Sequence, residues 1–191
     1  MVIGFHACKR DVSEELLSGS ADFKPSENVY DWLGSGMYFW EKSQHRAERF
    51  AQDRKIEDSV VVGAAIDLGF CLDFTDSESL FYLSQSYLAL KEAIELANLS
   101  LPSNKKSGAS SNNDALRREL DCAVINFLHS QREDKGDKSY DSVRGVFWEG
   151  KDLYPGAGFK EKNHVQICVR NPNCIKGFFL PRKEDPKFNS V

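Results

Sequence analysis

The chain has 191 residues, a formal net charge of −4 and 41% hydrophobic residues. This composition predicts one globular domain over residues 1–191, with enough apolar side chains for a sizeable core. Its mild acidity provides no general attraction to phosphate backbones or anionic membranes. A nucleic-acid partner is therefore unsupported, although a local basic groove beneath that average would still allow one.

The N-terminus and the cysteines favour a cytoplasmic protein. The first residues lack the basic start and long apolar stretch of a signal peptide, and no run approaches the roughly 20 apolar residues of a membrane helix. The five cysteines are odd in number and never form a C-x-x-C pair, which favours reduced thiols. His164, Cys168 and Cys174 form the closest His/Cys grouping, but they lack the paired spacing of a zinc site. We therefore expect no metal and no membrane partner.

In chain order, the first part alternates strands and short helices. Val2 to His6 is typical of a strand, and residues 11–19 are typical of a helix that ends at a glycine. A loop with two glycines around a serine, residues 34–36, leads into an apolar strand at 37–40. Ser43 can cap the helix that follows. Two further predicted strands are Val60–Ile66 and Phe70–Phe74.

The middle of the chain changes to helical periodicity. Apolar residues repeat at intervals of three and four between residues 80 and 97, which predicts an amphipathic helix. A second helix is predicted at about residues 114–131, and the two would form a helical hairpin inserted at about residues 77–133. Later strands are predicted at residues 145–148, 164–169 and 175–180, so the fold class is α+β.

Three side chains that could carry chemistry stand at predicted strand positions far apart in sequence: His6, Tyr38 and Gln166. Each taken alone is also typical of ordinary packing. In order along the chain they lie in F-H-A before a helix, in G-S-G-M-Y-F before a helix, and in V-Q-I on a late strand. This order resembles the ADP-ribosyltransferases of the diphtheria-toxin and poly(ADP-ribose)-polymerase type. That family has His-Gly, then Gly-x-Gly-[Ile/Met]-Tyr-Phe, then Glu, and the resemblance covers roughly residues 2–74 and 145–180.

The resemblance implies a fold, a substrate and residue roles. The fold would be a pair of split mixed β-sheets with the helical hairpin inserted, and the substrate would be NAD. His6 would hydrogen-bond the adenosine ribose, Tyr38 would stack on the nicotinamide ring, and the backbone at Ala7 would hold the carboxamide. Gln166 would bond the nicotinamide ribose. The loop residues implied in NAD binding are Gly34, Ser35 and Gly36.

Two positions depart from the family pattern. Ala7 stands where the family usually has Gly, and Gln166 stands where it has Glu. Reading the strand two residues earlier offers His164 for the third position, and Glu149 and Glu161 flank the preceding loop. Glu161 could also act as a general base on the acceptor. A neutral amide stabilises developing positive charge less than a carboxylate does, so we expect a slower enzyme or a substitute carboxylate.

The sequence thus predicts NAD-dependent mono-ADP-ribosyl transfer, because the elongating members of the family use the glutamate. The acceptor would be a macromolecule of open class (protein, DNA or RNA), and the compact chain resembles a bacterial effector or a toxin with an antitoxin or inhibitor partner. One alternative is a catalytically degenerate NAD-binding module, and another is an interaction domain that uses the helical hairpin. An RNA 2′-phosphotransferase is a further alternative. It would be expected to present several arginines to phosphates, but only Arg144 and Arg170 lie near the predicted site.

Overall fold

The computed structural model of the protein describes residues 1–20, 24–106, 115–183 and 185–188. In those residues the strands are β1 (Val2–Lys9), β2 (Met37–Glu41), β3 (Ser59–Ile66), β4 (Cys71–Asp73), β5 (Ser142–Phe147), β6 (His164–Val169) and β7 (Ile175–Phe179). The helices are α1 (Arg10–Ser18), α2 (Gln44–Asp53), α3 (Ser77–Leu96) and α4 (Glu119–Asp134). A 3₁₀ turn spans Pro172–Cys174. No helix within the described ranges is long and apolar enough to cross a membrane.

The seven described strands form a mixed sheet in the order β4-β5-β6-β2-β1-β3-β7. The β4–β5 pair is parallel, and the other neighbouring pairs are antiparallel. The predicted α+β class is therefore confirmed. The expected separation into two sheets is corrected, because one hydrogen-bonded order links all seven strands. The split is confined to one junction, between β1 and β2.

The predicted helical hairpin is confirmed, with a later start for its second helix. α3 and α4 pack against each other, and Ser86 of α3 donates a hydrogen bond to the Val124 carbonyl of α4 at 3.0 Å. The second helix begins at Glu119 and not near residue 114. Lys105 and Arg117 form an isolated β-bridge just before it, so their backbone groups are paired in an extended conformation that a helix would exclude. Part of the expected start, residues 107–114, lies outside the described residues.

Helices cover the two faces of the sheet unequally. One face, here called the α2/α4 face, carries α2 over β1 and β2, and the α3–α4 hairpin over β4, β5 and β6. On this face Ala47 of α2 packs on Trp40, while Ile125 of α4 packs on Val143. The opposite face, the α1 face, carries α1 through Leu16. Strands β2 and β6 therefore run beneath the boundary between α2 and the hairpin.

The junction between β1 and β2 is short. It is paired only at Gly4↔Glu41 and Phe5↔Trp40, next to a hydrogen bond from Lys42 N–H to the Ile3 carbonyl of 2.9 Å. Gly4 permits this close approach, since a Cβ there would lie 2.7 Å from the Cβ of Phe39 on β2. Beyond this point β1 continues its ladder with β3 alone. The two strands thus open apart at the positions that follow Phe5.

Candidate functional site

His6 stands where β1 and β2 diverge. Its Nδ1 lies 2.9 Å from the Tyr38 carbonyl oxygen of β2. Since a carbonyl only accepts, the proton belongs on Nδ1 and the Nε2 lone pair is left available. Burial lowers the pKa of His6, and the bond to the Tyr38 carbonyl opposes that shift in part. His6 is therefore a neutral imidazole. Its ring lies at the point where β1 and β2 separate, and its Nε2 can accept a hydrogen bond.

The backbone of Ala7 faces the same opening. The Ile3 carbonyl points toward β2, because it accepts from Lys42 N–H. Backbone groups alternate sides along a strand, so the N–H and C=O of Ala7 also point toward β2, beyond the last β1–β2 pair. The Ala7 methyl packs with Trp40 and Ala47. Alanine is accommodated at this position because its methyl is directed under α2 and away from the opening.

Tyr38 is anchored through its hydroxyl. The hydroxyl donates to the Gly34 carbonyl at 2.6 Å and accepts from the Leu33 N–H at 2.8 Å. Burial raises the pKa of Tyr38, so the phenol stays protonated. Its ring remains partly exposed on the α2/α4 face, two residues before Trp40. His6 leaves the sheet on the α1 face, so the two predicted residues meet only through the opening.

The glycine loop is bonded to the rest of the fold. Ser35 N–H donates to the Asn126 side chain of α4 at 3.0 Å, and Gly36 exchanges two backbone hydrogen bonds with Ser26. A Cβ on Gly36 would lie 2.6 Å from the Val169 carbonyl of β6. These contacts explain why glycine is needed at this position. The backbone groups of Gly34, Ser35 and Gly36 are therefore hydrogen-bonded within the protein. Among them, the Gly34 carbonyl fixes the Tyr38 hydroxyl.

Gln166 lies near the centre of the α2/α4 face. It is paired with Trp40 on one side and with Gly145 on the other, and directly opposed residues share a face. Its side chain is partly exposed and makes no hydrogen bond within the described part of the chain. Tyr38 is its diagonal neighbour on this face, and His164 precedes it by two residues on the same side of β6. The structure therefore brings Gln166 and Tyr38 together, with a bare glycine beside Gln166.

Arg46 of α2 is buried in this region. The Arg46 side chain is 11% exposed, and its Nη2 is 2.9 Å from an oxygen of Glu149, which is 14% exposed. Burial lowers the pKa of Arg46, and Glu149 opposes that shift. The helical pattern places Ala47 on the buried face of α2, and the charged Arg46 beside it is therefore expected to face solvent. Its acidic partner is far away in sequence, and the local pattern carries no signal of it.

His164 is the next member of the same cluster. Its side chain is 1% exposed, and Nδ1 lies 4.0 Å from Glu149 and 2.6 Å from the Lys162 carbonyl. Its ring stacks near Trp32 at 5.9 Å between centroids. Burial lowers the pKa of His164 to about 4. His164 is therefore neutral, with its proton on Nδ1.

Arg118 completes the cluster from the start of α4. Its guanidinium lies 4.4 Å from the Trp32 ring centroid and 4.8 Å from the Phe147 centroid. Both rings flank His164. Arg46 and Arg118 both act on His164, and Glu149 lies between Arg46 and His164. These four side chains form a cluster, here called the Gln166 cluster because His164 stands two residues before Gln166 on the same side of β6. Pattern reasoning found Glu149 and His164 only as alternatives, and it missed the two arginines.

The remaining predicted residues lie elsewhere. Glu161 is exposed on the β5–β6 loop, so of the two loop glutamates it is Glu149 that reaches His164. Arg144 bonds Glu41 at 2.6 Å and Asp73 at 3.0 Å on the α1 face. Arg170 lies beyond the end of β6 and pairs with Glu133 at 3.3 Å. Neither of these two arginines faces Gln166.

Nucleophilic chemistry on cysteine finds little support near His6. Burial and Asp11 raise the pKa of Cys8 to about 11, so its thiol is a poor nucleophile at neutral pH. No three His, Cys, Asp or Glu side chains in the described ranges gather as metal ligands would.

A groove opens on the α1 face near His6. Its volume is about 390 Å³, and it runs between α1, β2 and β7, with Leu16, Met37 and Phe178 among its lining residues. The Phe178 ring neighbours Phe39 at 6.4 Å, and Phe39 neighbours His6 at 5.8 Å between centroids. The groove and His6 therefore lie on the same face of the sheet, separated by the Phe39 ring.

Comparison with known proteins gives one relative. An uncharacterized protein of Methanocaldococcus jannaschii is 24% identical over 196 aligned residues, which cover 90% of this chain and 83% of the relative. No protein-family model matches the chain. No solved structure matches it either.

Proposed function

We propose that the protein is an NAD-dependent mono-ADP-ribosyltransferase that binds NAD across the opening between β1 and β2. The observation that carries this proposal is the end of the β1–β2 ladder after Phe5 and Trp40. His6, the backbone of Ala7, and Tyr38 meet at that opening. These are the groups that the family resemblance assigns to the adenosine ribose, the carboxamide and the nicotinamide ring.

Each of these groups can perform its assigned task. The neutral His6 can accept a hydrogen bond from a ribose hydroxyl through Nε2, because Nδ1 is bonded to the Tyr38 carbonyl. The N–H and C=O of Ala7 match the acceptor and donor of a carboxamide. Tyr38 presents a partly exposed ring whose hydroxyl is fixed by Leu33 and Gly34, so the ring plane is held before the ligand arrives.

The chemical step would break the bond between ribose C1′ and the nicotinamide nitrogen. The bonding electron pair leaves with nicotinamide, positive charge develops on the ribose, and a nucleophilic atom of the acceptor bonds C1′ and loses its proton. Gln166 would orient the ribose hydroxyl through its free amide. A neutral amide stabilises the developing charge weakly, so the turnover of this enzyme would be slow and limited to single units.

Transfer can be measured with NAD labelled on its adenylate phosphate in cell lysate, followed by separate protease, RNase and DNase digestion. We expect label in a macromolecular fraction, and the digestion that releases it names the acceptor class. Replacing His6 with Ala should abolish the label, and the matched change at His45, whose side chain is 81% exposed, should not. Circular dichroism of both variants checks that the fold is retained.

The position of Gln166 provides a gain-of-function test. A carboxylate at this position would restore the family pattern, so Gln166→Glu should raise the rate of nicotinamide release roughly 100- to 1000-fold. Gln85→Ala, an exposed change on α3, is the matched control.

A titration of the protein with NAD, read beside these two tests, separates the alternatives. Saturable NAD binding without nicotinamide release would favour the degenerate module. Absence of NAD binding would favour an interaction domain and would refute the transferase proposal.

A further inference from the structure

Buried polar atoms without partners concentrate around Gln166 and His164. In the described part of the chain, eight buried side-chain nitrogen or oxygen atoms have no hydrogen-bond partner. Five of them belong to this region: Trp40 Nε1, Arg46 Nε, Arg46 Nη1, Arg118 Nε and His164 Nε2. Buried donors normally find partners, because an unmade hydrogen bond costs the full desolvation of the group. Such a concentration therefore favours a place where the protein takes hydrogen-bonding groups from outside its own chain.

The unpartnered atoms are mainly donors. The arginine and tryptophan nitrogens carry protons that they can only donate. Trp40 stands opposite Gln166 in the ladder, Arg46 reaches Glu149 beside His164, and Arg118 lies over the rings that flank His164. A ligand that satisfies them must be rich in acceptors, and next to two guanidinium groups it must be anionic.

The charges agree with this requirement. Arg46, Arg118 and Lys162 each act to lower the pKa of His164, so their positive charges converge on one place. The acidic group inside is Glu149, 14% exposed, and it is shared between Arg46 and Lys162. The other acidic partners lie further out, with Asp53 53% exposed and Asp121 36% exposed. Both arginines also stand at the N-terminal ends of their helices, where the helix dipole favours an anion.

We infer that Arg46, Arg118 and Trp40 form a binding site for a phosphoryl group beside His164 and Gln166. A phosphoryl group has three acceptor oxygens around a tetrahedral centre, which can take donors from α2, β2 and α4 at once. Guanidinium groups match phosphate through charge-assisted pairs of hydrogen bonds. A carboxylate has fewer acceptor oxygens in one plane and would leave some of these donors unpaired.

This inference goes beyond ADP-ribosyl transfer, because any phosphate-bearing ligand would use the site. Two sources of the group are consistent with its place near Gln166. One is the diphosphate of the dinucleotide, and the other is a phosphate carried by the acceptor. The two sources differ in whether NAD and a separate phosphate compound bind together.

Isothermal titration of the full chain with inorganic pyrophosphate at low salt tests the site. We expect saturable binding that weakens roughly 10- to 100-fold in Arg46→Gln and in Arg118→Gln, the loss expected for hydrogen bonds to charged groups. Arg170→Gln is the matched control, since Arg170 is also part-buried, paired with a glutamate and has an unpartnered Nε. It lies about 20 Å away along β6, six residues beyond His164. The control should bind as the wild type does.

A gain-of-binding variant guards against misfolded proteins. Glu149→Gln removes the carboxylate that competes for Arg46, so it should tighten pyrophosphate binding several-fold. Saturating NAD should abolish pyrophosphate binding if the site holds the dinucleotide diphosphate, and should leave it intact if the site holds a phosphate of the acceptor. Either result supports the phosphoryl site. The inference is overturned if the wild type does not saturate, or if Arg46→Gln and Arg118→Gln, both folded, bind as Arg170→Gln does.

This test is independent of the transferase assay. Pyrophosphate binding without label transfer would refute the proposed activity and retain the site. Label transfer without pyrophosphate binding would refute the phosphoryl site and retain the proposed activity.

Discussion

The pairing of Arg46 with Glu149 predicts an unusual coupling between stability and anion binding. The two side chains are 11% and 14% exposed and lie 2.9 Å apart, so each neutralises a charge that water barely reaches. Replacing Glu149 with Gln leaves a guanidinium buried without its countercharge. We therefore expect Glu149→Gln to destabilise the fold, and we expect an added anion to reverse the effect.

The burial of the Arg46–Glu149 pair determines how much stability Glu149→Gln should lose. Breaking a fully buried ion pair costs about 3–5 kcal/mol. The glutamine oxygen can still accept from Arg46, and the residual exposure of both groups allows some hydration, so about 2 kcal/mol is the reasonable expectation. For a chain of this size, that lowers Tm by roughly 4–8 °C. Pyrophosphate at about 100 times its Kd should restore about 2.7 kcal/mol, because it binds only the folded state.

Urea denaturation with and without pyrophosphate measures both effects. Glu133→Gln is the matched control, since Glu133 pairs with Arg170 at 3.3 Å but is 55% exposed. Such an exposed pair contributes at most about 1 kcal/mol. Because Glu133→Gln keeps the site at Arg46, pyrophosphate should stabilise this variant only as much as it stabilises the wild type, whereas the tighter binding expected of Glu149→Gln should narrow the gap between that variant and the wild type at a fixed pyrophosphate concentration. Equal losses in the two variants without pyrophosphate, or a gap between Glu149→Gln and the wild type that pyrophosphate leaves unchanged, would refute the assignment of Glu149 and Arg46 to a buried anion site.

Two further predictions concern stability. Gly36→Ala should lower the free energy of unfolding by about 2–3 kcal/mol, because the new Cβ would lie 2.6 Å from the Val169 carbonyl. Gly177→Ala is the control, since a Cβ there has no atom within 4 Å, and it should change the free energy of unfolding by less than about 0.5 kcal/mol. Urea denaturation measures both. Similar losses in both would contradict the close approach of the glycine loop to β6. The pH dependence should be steep, because burial lowers the pKa of three histidines: His6, His129 (to about 3) and His164 (to about 4). Their unfolded pKa is near 6.5, so the unfolded chain takes up the protons first, and stability is fully present above about pH 6.5 and falls as the pH drops toward 4. The slope is about 1.4 kcal/mol per pH unit for each histidine, and equal unfolding free energies at pH 7.5 and pH 5.5 would contradict it.

Much of the secondary structure follows from local sequence. Gly19 ends α1 in the left-handed conformation, and Ser43 caps α2 by accepting the Arg46 N–H, as the capping patterns predicted. The strand at residues 164–169 begins and ends where predicted. These features depend on neighbours a few residues apart, so composition and spacing carry them.

The residues of the candidate site were also predictable only in part from local sequence. His6, Tyr38 and Gln166 were identifiable because each stands at a strand position inside a short motif. The sequence by itself could not assign them to faces of the sheet. That required the strand order and register, which place His6 on the α1 face and the other two on the opposite face. Register is decided by pairing between distant segments, and the residues of one strand do not specify their partner.

The Gln166 cluster was decided by tertiary structure alone. Arg46 and Glu149 are separated by 103 residues, and Arg118 belongs to a hairpin that the family resemblance left unassigned. On the sequence these side chains have the appearance of ordinary solvated charges. They become a site because packing α2 and α4 side by side over β2 and β6 removes water from them, and only the folded chain determines which charges lose their water together.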